Sequence, residues 1–285
     1  ADQFFGGVGE MFRELQREAP EYLTMPGAGG MGWGAFSTAI LVSALGCVMW
    51  PHIFMKFYSA RSERTLKQVF VLYPLYSYLL VPLLVIGFAG VLLLEDSPLD
   101  SADRVLLTLV VELADFPAWL IGIALSGALA AAMSTAANLA HTSATILVRD
   151  VGQHLPVLRG ISDDKALRLT RYGVVVISLA AYLLALANPG SLVGLLLGAY
   201  GIVVQLLPML LGALFWRRAS RSGAFAGLAV GAALTLLFQF GVSTPFGWHA
   251  GFCGLVVNTV VFIGVSLVTH SASSYSPAQA LSSKG

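Results

Sequence analysis

The stretch SGALAAAMSTAANLAHTS, residues 126–143, is apolar enough to sit in a membrane, yet it places Ser126, Ala130, Ser134, Asn138 and Thr142 at four-residue intervals. Four residues is close to one helical turn, so these small or polar groups form a stripe along which another helix can approach closely. Ala131, Ser134 and Thr135 share one face at i, i+3 and i+4. They present two hydroxyls and a carbonyl whose second lone pair is available even inside a helix. A hard cation takes oxygen ligands of this kind. The same hydroxyls can instead bond back to carbonyls of the preceding turn, as Ser and Thr do in membrane helices. The residues alone leave both readings open.

Outward from this stretch, Asp, Glu, Lys and Arg are absent from residues 22–55, 68–94, 116–148, 172–216 and 222–283. A helix needs about 20 apolar residues to cross the hydrocarbon layer. The first three stretches therefore hold one span each. The last two hold two each, divided at Asn188-Pro189-Gly190 and at Ser243-Thr244-Pro245-Phe246-Gly247, both clusters of turn formers. The expectation is an all-α polytopic membrane protein with about seven transmembrane helices, near 33–56, 66–94, 116–148, 168–187, 191–216, 223–241 and 250–270. Composition agrees: of 285 residues 57% are apolar and 11% charged, against roughly 25% charged in a soluble domain. Mean hydropathy is +0.80. A net charge of +1 gives no basic surface for nucleic acid. Cys47 and Cys253 lie far apart in apolar stretches, which argues against a disulfide framework or a thiolate metal cluster.

The connecting segments test the count of spans. Loops 56–67, 149–171 and 217–221 with the C-terminal tail carry thirteen of the sixteen Lys and Arg but four of the fifteen acids. Arg13, Arg17 and Arg104 stand on the other side with eleven Asp and Glu. Under the positive-inside rule the N-terminal end faces outward and the C-terminal end the cytoplasm of a cell (inner or plasma) membrane. Residues 1–32 read as an external amphipathic segment, with Phe4, Phe5, Val8, Met11, Phe12 and Leu15 on one face. Because an external start needs an export route, residue 1 reads as a cut point inside a longer polytopic chain. Residues 99–114 read either as a second amphipathic helix, over the entrance, or as a solvated linker.

Pro51 lies inside the first span. It lacks an amide hydrogen and its ring clashes with the carbonyl four residues back, so the helix is expected to kink or open near Cys47. Broken helices of this kind form substrate sites in many transporters; a proline that merely kinks a packed helix is the plainer alternative. Gly223, Gly227 and Gly231, and likewise Gly194 and Gly198, give smooth faces for helix packing. Gln205 either faces a solute cavity or joins two helices. His52 and His141, from distant segments without a carboxylate partner, make a thin case for a metal. No span contains Asp or Glu, which favours an ion held by neutral oxygens over a proton carried on a carboxylate.

Four landmarks in register add a resemblance. The run Ala-Ala-Ala-Met-Ser134-Thr135-Ala-Ala-Asn-Leu, ending in Val148-Arg149-Asp150, resembles the sodium-site helix of the sodium:solute symporter family. Gly46-Cys-Val-Met-Trp-Pro51-His52, followed by Lys56-Phe-Tyr58, is similar to that family's pattern at its broken helix. Asn188-Pro189-Gly190 and Phe215-Trp216-Arg217-Arg218-Ala-Ser-Arg221-Ser-Gly223 match later landmarks in the same order. The resemblance covers about residues 33–233.

It implies part of an inverted-repeat (LeuT-like) fold: 33–216 as the second five-helix repeat, 217–270 as two additional helices and 271–285 as a cytoplasmic tail. It implies a sodium ion held by the hydroxyls of Ser134 and Thr135 and the carbonyl of Ala131. Backbone carbonyls of N-terminal helices missing from this sequence would complete that site. Where the proline-transporting branch has a Trp and a Tyr, this chain has Ser43 and Cys47. With Trp50, Pro51 and Gln205 these form the expected solute-binding set, for a small organic solute with monocarboxylates leading. Sodium-driven import by alternating access is the expected function. A transporter-like sensory module is the alternative. An intramembrane hydrolase is disfavoured, since Ser134 and His141 sit two turns, about 10 Å, apart.

Overall fold

Proline's missing amide hydrogen is where the architecture starts. In the computed structural model, which describes residues 5–26, 31–94, 102–113, 116–156, 159–187 and 191–269, the first span is a broken helix. Helix α2 (Trp33–Gly46) tightens into a turn at Cys47–Met49, Trp50 is extended at φ −59° and ψ 126°, and a new helix α3 (Pro51–Ser59) begins. The ring of a proline disfavours the helical region for the residue before it. The break therefore falls at Trp50 rather than at Cys47, and the Trp50 carbonyl restarts the hydrogen-bond ladder by accepting from Phe54 N–H at 2.8 Å.

Ahead of α2 lies the amphipathic helix α1 (Val8–Glu18). The later helices are α4 (Glu63–Ser77) with α5 (Val81–Leu93), α6 (Ala118–Thr145), α7 (Asp163–Ala187), α8 (Leu192–Val203) with α9 (Leu207–Phe215), α10 (Arg221–Phe240) and α11 (Ala250–Thr269). Six runs are long and apolar enough to cross a membrane, and the broken helix makes up to seven. Among the described residues there is no strand. Helix α4 starts at Glu63, ahead of the apolar run, because Ser62 Oγ caps it by accepting the Thr65 N–H. Helix α7 starts at Asp163, not near 168, since Asp163 and Asp164 favour its positive end. Absence of charge marks only the lipid-buried part of a helix. The Asn188-Pro189-Gly190 break, Phe4, Leu99 and the 271–285 tail lie outside the described residues.

The chain divides into two packing units, Ala1–Gly30 with Trp50–Leu195 and Met31–Met49 with Leu196–Gly285. In the first, α1 buries Met11 and Leu15 completely and sets Phe12 edge-on against Phe88 of α5 at 5.5 Å. The 102–113 stretch is helical and packs on the same helix, where Val105 occupies the space a side chain on Gly90 would need. Its Asp103 carboxylate accepts the Leu192 N–H at 2.9 Å, capping α8. The last turns of α6 are buried through Ala140, Thr142 and Ala144, the last of these lying against Gly173 of α7.

The second unit is built on glycine. Gly223, Gly227 and Gly231 of α10 are buried against Ser266, Phe262 and Asn258 of α11, with no room for a side chain at any of the three. In the turn before α11, Gly247 adopts φ +64°. His249 then ties two helices together: its N–H donates to Thr38 Oγ1 of α2 at 2.8 Å, and its Nδ1 accepts the Gly251 N–H at 3.1 Å.

That second bond requires a neutral ring, and burial holds the His249 imidazole below the usual histidine range. Protonation would remove the acceptor and place a positive charge at the positive end of α11. The unfolded chain takes up this proton more readily than the folded one. The contribution is therefore complete above the ordinary pKa of 6.5 and is lost as pH falls below it. We expect the unfolding temperature to drop further between about pH 8 and pH 5 in the native protein than in His249→Asn, whose amide oxygen accepts the same bond at every pH. Equal drops would show that His249 does not titrate against the fold.

Candidate functional site

Helix α6 and its continuation run for 34 residues, and the most apolar window in them has 0% of its residues buried. From Ala118 to Asn138 every face of this helix is open or nearly so, and side chains on Gly122 and Gly127 would meet nothing. Ala131, Ser134 and Thr135 lie within that open stretch. Ser134 Oγ donates to the Ala131 carbonyl at 2.8 Å and Thr135 Oγ1 to the same carbonyl at 3.4 Å. Three oxygens thus converge on one exposed patch. The back-bonding anticipated as the plainer alternative is present, and it leaves a cation role intact: a hydroxyl that gives its proton to a carbonyl keeps its lone pairs facing outward. Three oxygens are about half the shell of six or more that a hard ion takes, so the patch fits such an ion only with donors from outside this face. Asn138 extends the patch by one turn, with Nδ2 on the Ser134 carbonyl at 3.0 Å.

The expected solute-binding residues fall in both units. In the second, Ser43 is half-buried on the last turn of α2, where its carbonyl accepts the Cys47 N–H, and Cys47 is a half-buried free thiol. In the first, Pro51 opens α3 and the Trp50 ring stands 5.9 Å from that of His52. His52 Nδ1 is buried without a hydrogen-bond partner among the described residues. Gln205 has no exposed surface. Its Nε2 reaches Gly201 O at 2.9 Å, Gly251 O at 3.0 Å and Thr235 Oγ1 at 3.2 Å. Asn258 Nδ2 donates both to the Gln205 side-chain oxygen at 3.1 Å and to its carbonyl at 2.8 Å. His141 is exposed on α6, and Ser134 Oγ bonds the Ala131 carbonyl instead of reaching toward it.

Two sets of polar partners were not foreseen from the sequence: Leu192 for the Asp103 cap on α8, and Thr235 and Asn258 for Gln205, whose joining of two helices was one of its two readings. The acidic Asp103 in the amphipathic stretch was the available signal for the first. For the second it was a glutamine, a threonine and an asparagine set in three otherwise mostly apolar runs.

The sodium:solute symporter family model matches residues 3–231. The chain belongs to the sodium:solute symporter family. It is a family of transporters and not of enzymes. An uncharacterized symporter of this family from Bacillus subtilis (strain 168), YhjB, is 30% identical over 97% of this chain and 58% of its own length. The sodium/proline symporter of Escherichia coli (strain K12) is 29% identical over 88% of this chain and 48% of its own. A monocarboxylate transport permease protein of Rhizobium johnstonii is 29% identical over 78% of this chain and 43% of its own. The chain thus spans about half the length of the symporters it matches. No solved structure matches.

Proposed function

We propose that this chain is the C-terminal part of a sodium-coupled symporter that imports a small organic solute by alternating access, with Ala131, Ser134 and Thr135 supplying its share of a sodium site. The observation that carries this reading is the open face of α6. An apolar helix with hydroxyls exposed toward lipid is unfavourable, and intramembrane polar groups face a bundle interior or a polar cavity. The chain covers 58% of YhjB, and on this reading the remainder of a protein of that length covers the face and completes the ion's shell. On this reading 33–216 is the second five-helix repeat and 217–270 a trailing pair. The basic loops lie in the cytoplasm, the N-terminal segment lies outside, and the cell membrane is the location.

Solute specificity follows the broken helix. Ser43 and Cys47 leave more room than an aromatic pair, and His52 offers an unpartnered nitrogen beside Trp50. Among relatives, both proline symporters and a monocarboxylate permease match. The smaller groups favour a monocarboxylate, with Ser43, Cys47, Trp50 and Pro51 lining its path. Gln205 differs from these four because its amide is already consumed, and we assign it to helix joining. Sodium bound first stabilises the form in which the solute site is assembled, so each ligand raises the affinity for the other by one factor.

The test is uptake by the full-length protein in proteoliposomes under an imposed inward sodium gradient, with labelled monocarboxylates, amino acids and sugars. The expected result is accumulation of a monocarboxylate that collapses when the gradient is removed. Uptake indifferent to sodium would overturn the coupling, and sodium-driven uptake of another class alone would overturn the solute.

A further inference from the structure

Helices α9 and α11 leave between them an open groove of about 550 Å³. Its lining is almost entirely carbon: Leu207, Pro208 and Leu211 on one side, Leu255, Phe262 and Ile263 on the other. The one hydroxyl in the lining, on Thr259, is spent on the Leu255 carbonyl at 2.8 Å. The floor is closed where Gly212 meets Phe262, with no space for a side chain on the glycine. The rims are large aliphatic groups, Leu211 at 46% exposed and Ile263 at 42%. These keep another helix from the close approach that small residues permit.

One end of the groove is polar. Trp216 closes it, with its ring 5.5 Å from that of Phe262, and Arg217 and Arg218 follow in the turn to α10, whose first residue is Arg221. All three arginines are exposed, and none forms an ion pair with a described residue. The helix ends at this level are held together, since Ser220 N–H donates to Ser266 Oγ at 3.2 Å and Ser220 Oγ bonds Thr269 Oγ1 at 2.7 Å. From Leu207 to Trp216 the groove runs about 14 Å along α9 at 1.5 Å per residue, close to half of the roughly 30 Å hydrocarbon layer. It is therefore as deep as one leaflet. An aromatic side chain and unpaired cations stand where headgroups would be.

We infer that the α9–α11 groove binds one acyl chain of an anionic phospholipid whose headgroup phosphate is held by Arg217 and Arg218. The length of the groove selects a single leaflet's chain, the absence of a free polar group selects hydrocarbon, and the arginines at the Trp216 end select a negative headgroup. The inference concerns the lipid-facing side of the second unit and does not depend on which solute is carried.

Native mass spectrometry of the full-length protein, with dioleoylphosphatidylglycerol or dioleoylphosphatidylcholine added, reads the site directly. The native protein should retain phosphatidylglycerol about tenfold more strongly than phosphatidylcholine, and the variant R217Q/R218Q, altered only at exposed positions, should lose that preference. The groove-filling variant Thr259→Phe keeps the charges and should lower retention of both lipids. A preference undiminished in R217Q/R218Q would overturn the proposal. So would disulfide capture of Ile263→Cys, at the groove's rim, by cysteines placed on another segment of the protein or on a second copy, since the groove would then be filled by protein.

Discussion

Replacing Ser134 by alanine and Thr135 by valine together, in the full-length protein, should raise the sodium concentration that half-saturates uptake by about 100-fold or more. Each substitution removes one oxygen donor from a charged ligand. Hydrogen bonds to charged groups contribute about 1.5–3 kcal/mol, and each 1.4 kcal/mol is tenfold in affinity. Folding should be little affected: both side chains are exposed, and each hydroxyl bonds only to the Ala131 carbonyl of its own helix. Thr135→Ser, which keeps the oxygen, should behave nearly as the native protein. At saturating sodium the solute affinity of the double variant should recover, because the coupling between ion and solute is reciprocal. Sodium dependence that does not change would show that these hydroxyls do no more than bond to their own helix.

The spans were legible because an apolar helix in a bilayer excludes charge along the part buried in lipid, and five charge-free stretches record that exclusion. Local chemistry was legible too. Pro51 forecast a break from its missing N–H, although the restriction it places on its predecessor moved the break to Trp50. The Ser134–Thr135 pair was readable as one helical face because i and i+3 or i+4 geometry is fixed by the helix itself. What periodicity does not encode is which distant helix supplies a partner. Gln205 could be read as a solute ligand or as a joint until Thr235, 30 positions away, and Asn258, 53 positions away, were seen to consume its amide. Asp103 and Leu192 are 89 positions apart and meet only through the packing of three helices. Glycine stripes lie between these cases: the close face of α10 is plain in the sequence, while the residue opposite each glycine is not.

Gly254→Ala should be among the most damaging single methyl groups in the second unit. Its Cβ would stand 2.0 Å from Thr235 Oγ1 and 2.6 Å from the Gly231 carbonyl, both buried and both bound into the Gln205 network. The carbonyl belongs to helix backbone and cannot swing away, so α10 and α11 must separate. Separation stretches the bonds from Gln205 to Thr235 and to Asn258 in an environment where no water replaces them. Overpacking of this kind costs about 1–3 kcal/mol, and each buried polar group left unpaired about 1–3 kcal/mol more. A fall of about 5–10 °C in unfolding temperature is expected, measured on detergent-solubilised full-length protein. Combining it with Thr235→Ala should restore part of the loss, because the hydroxyl in the way is gone, and that non-additivity separates a clash from a general weakening of the helix. Gly264→Ala, ten residues further along α11, supplies the opposite sign. No atom lies within 4 Å of where its Cβ would stand, so only the helix-propensity gain of about 0.5–1 kcal/mol remains and stability should rise. If both alanines are tolerated alike, α10 and α11 do not approach as closely as described, and the buried network that consumes the Gln205 amide falls with that contact.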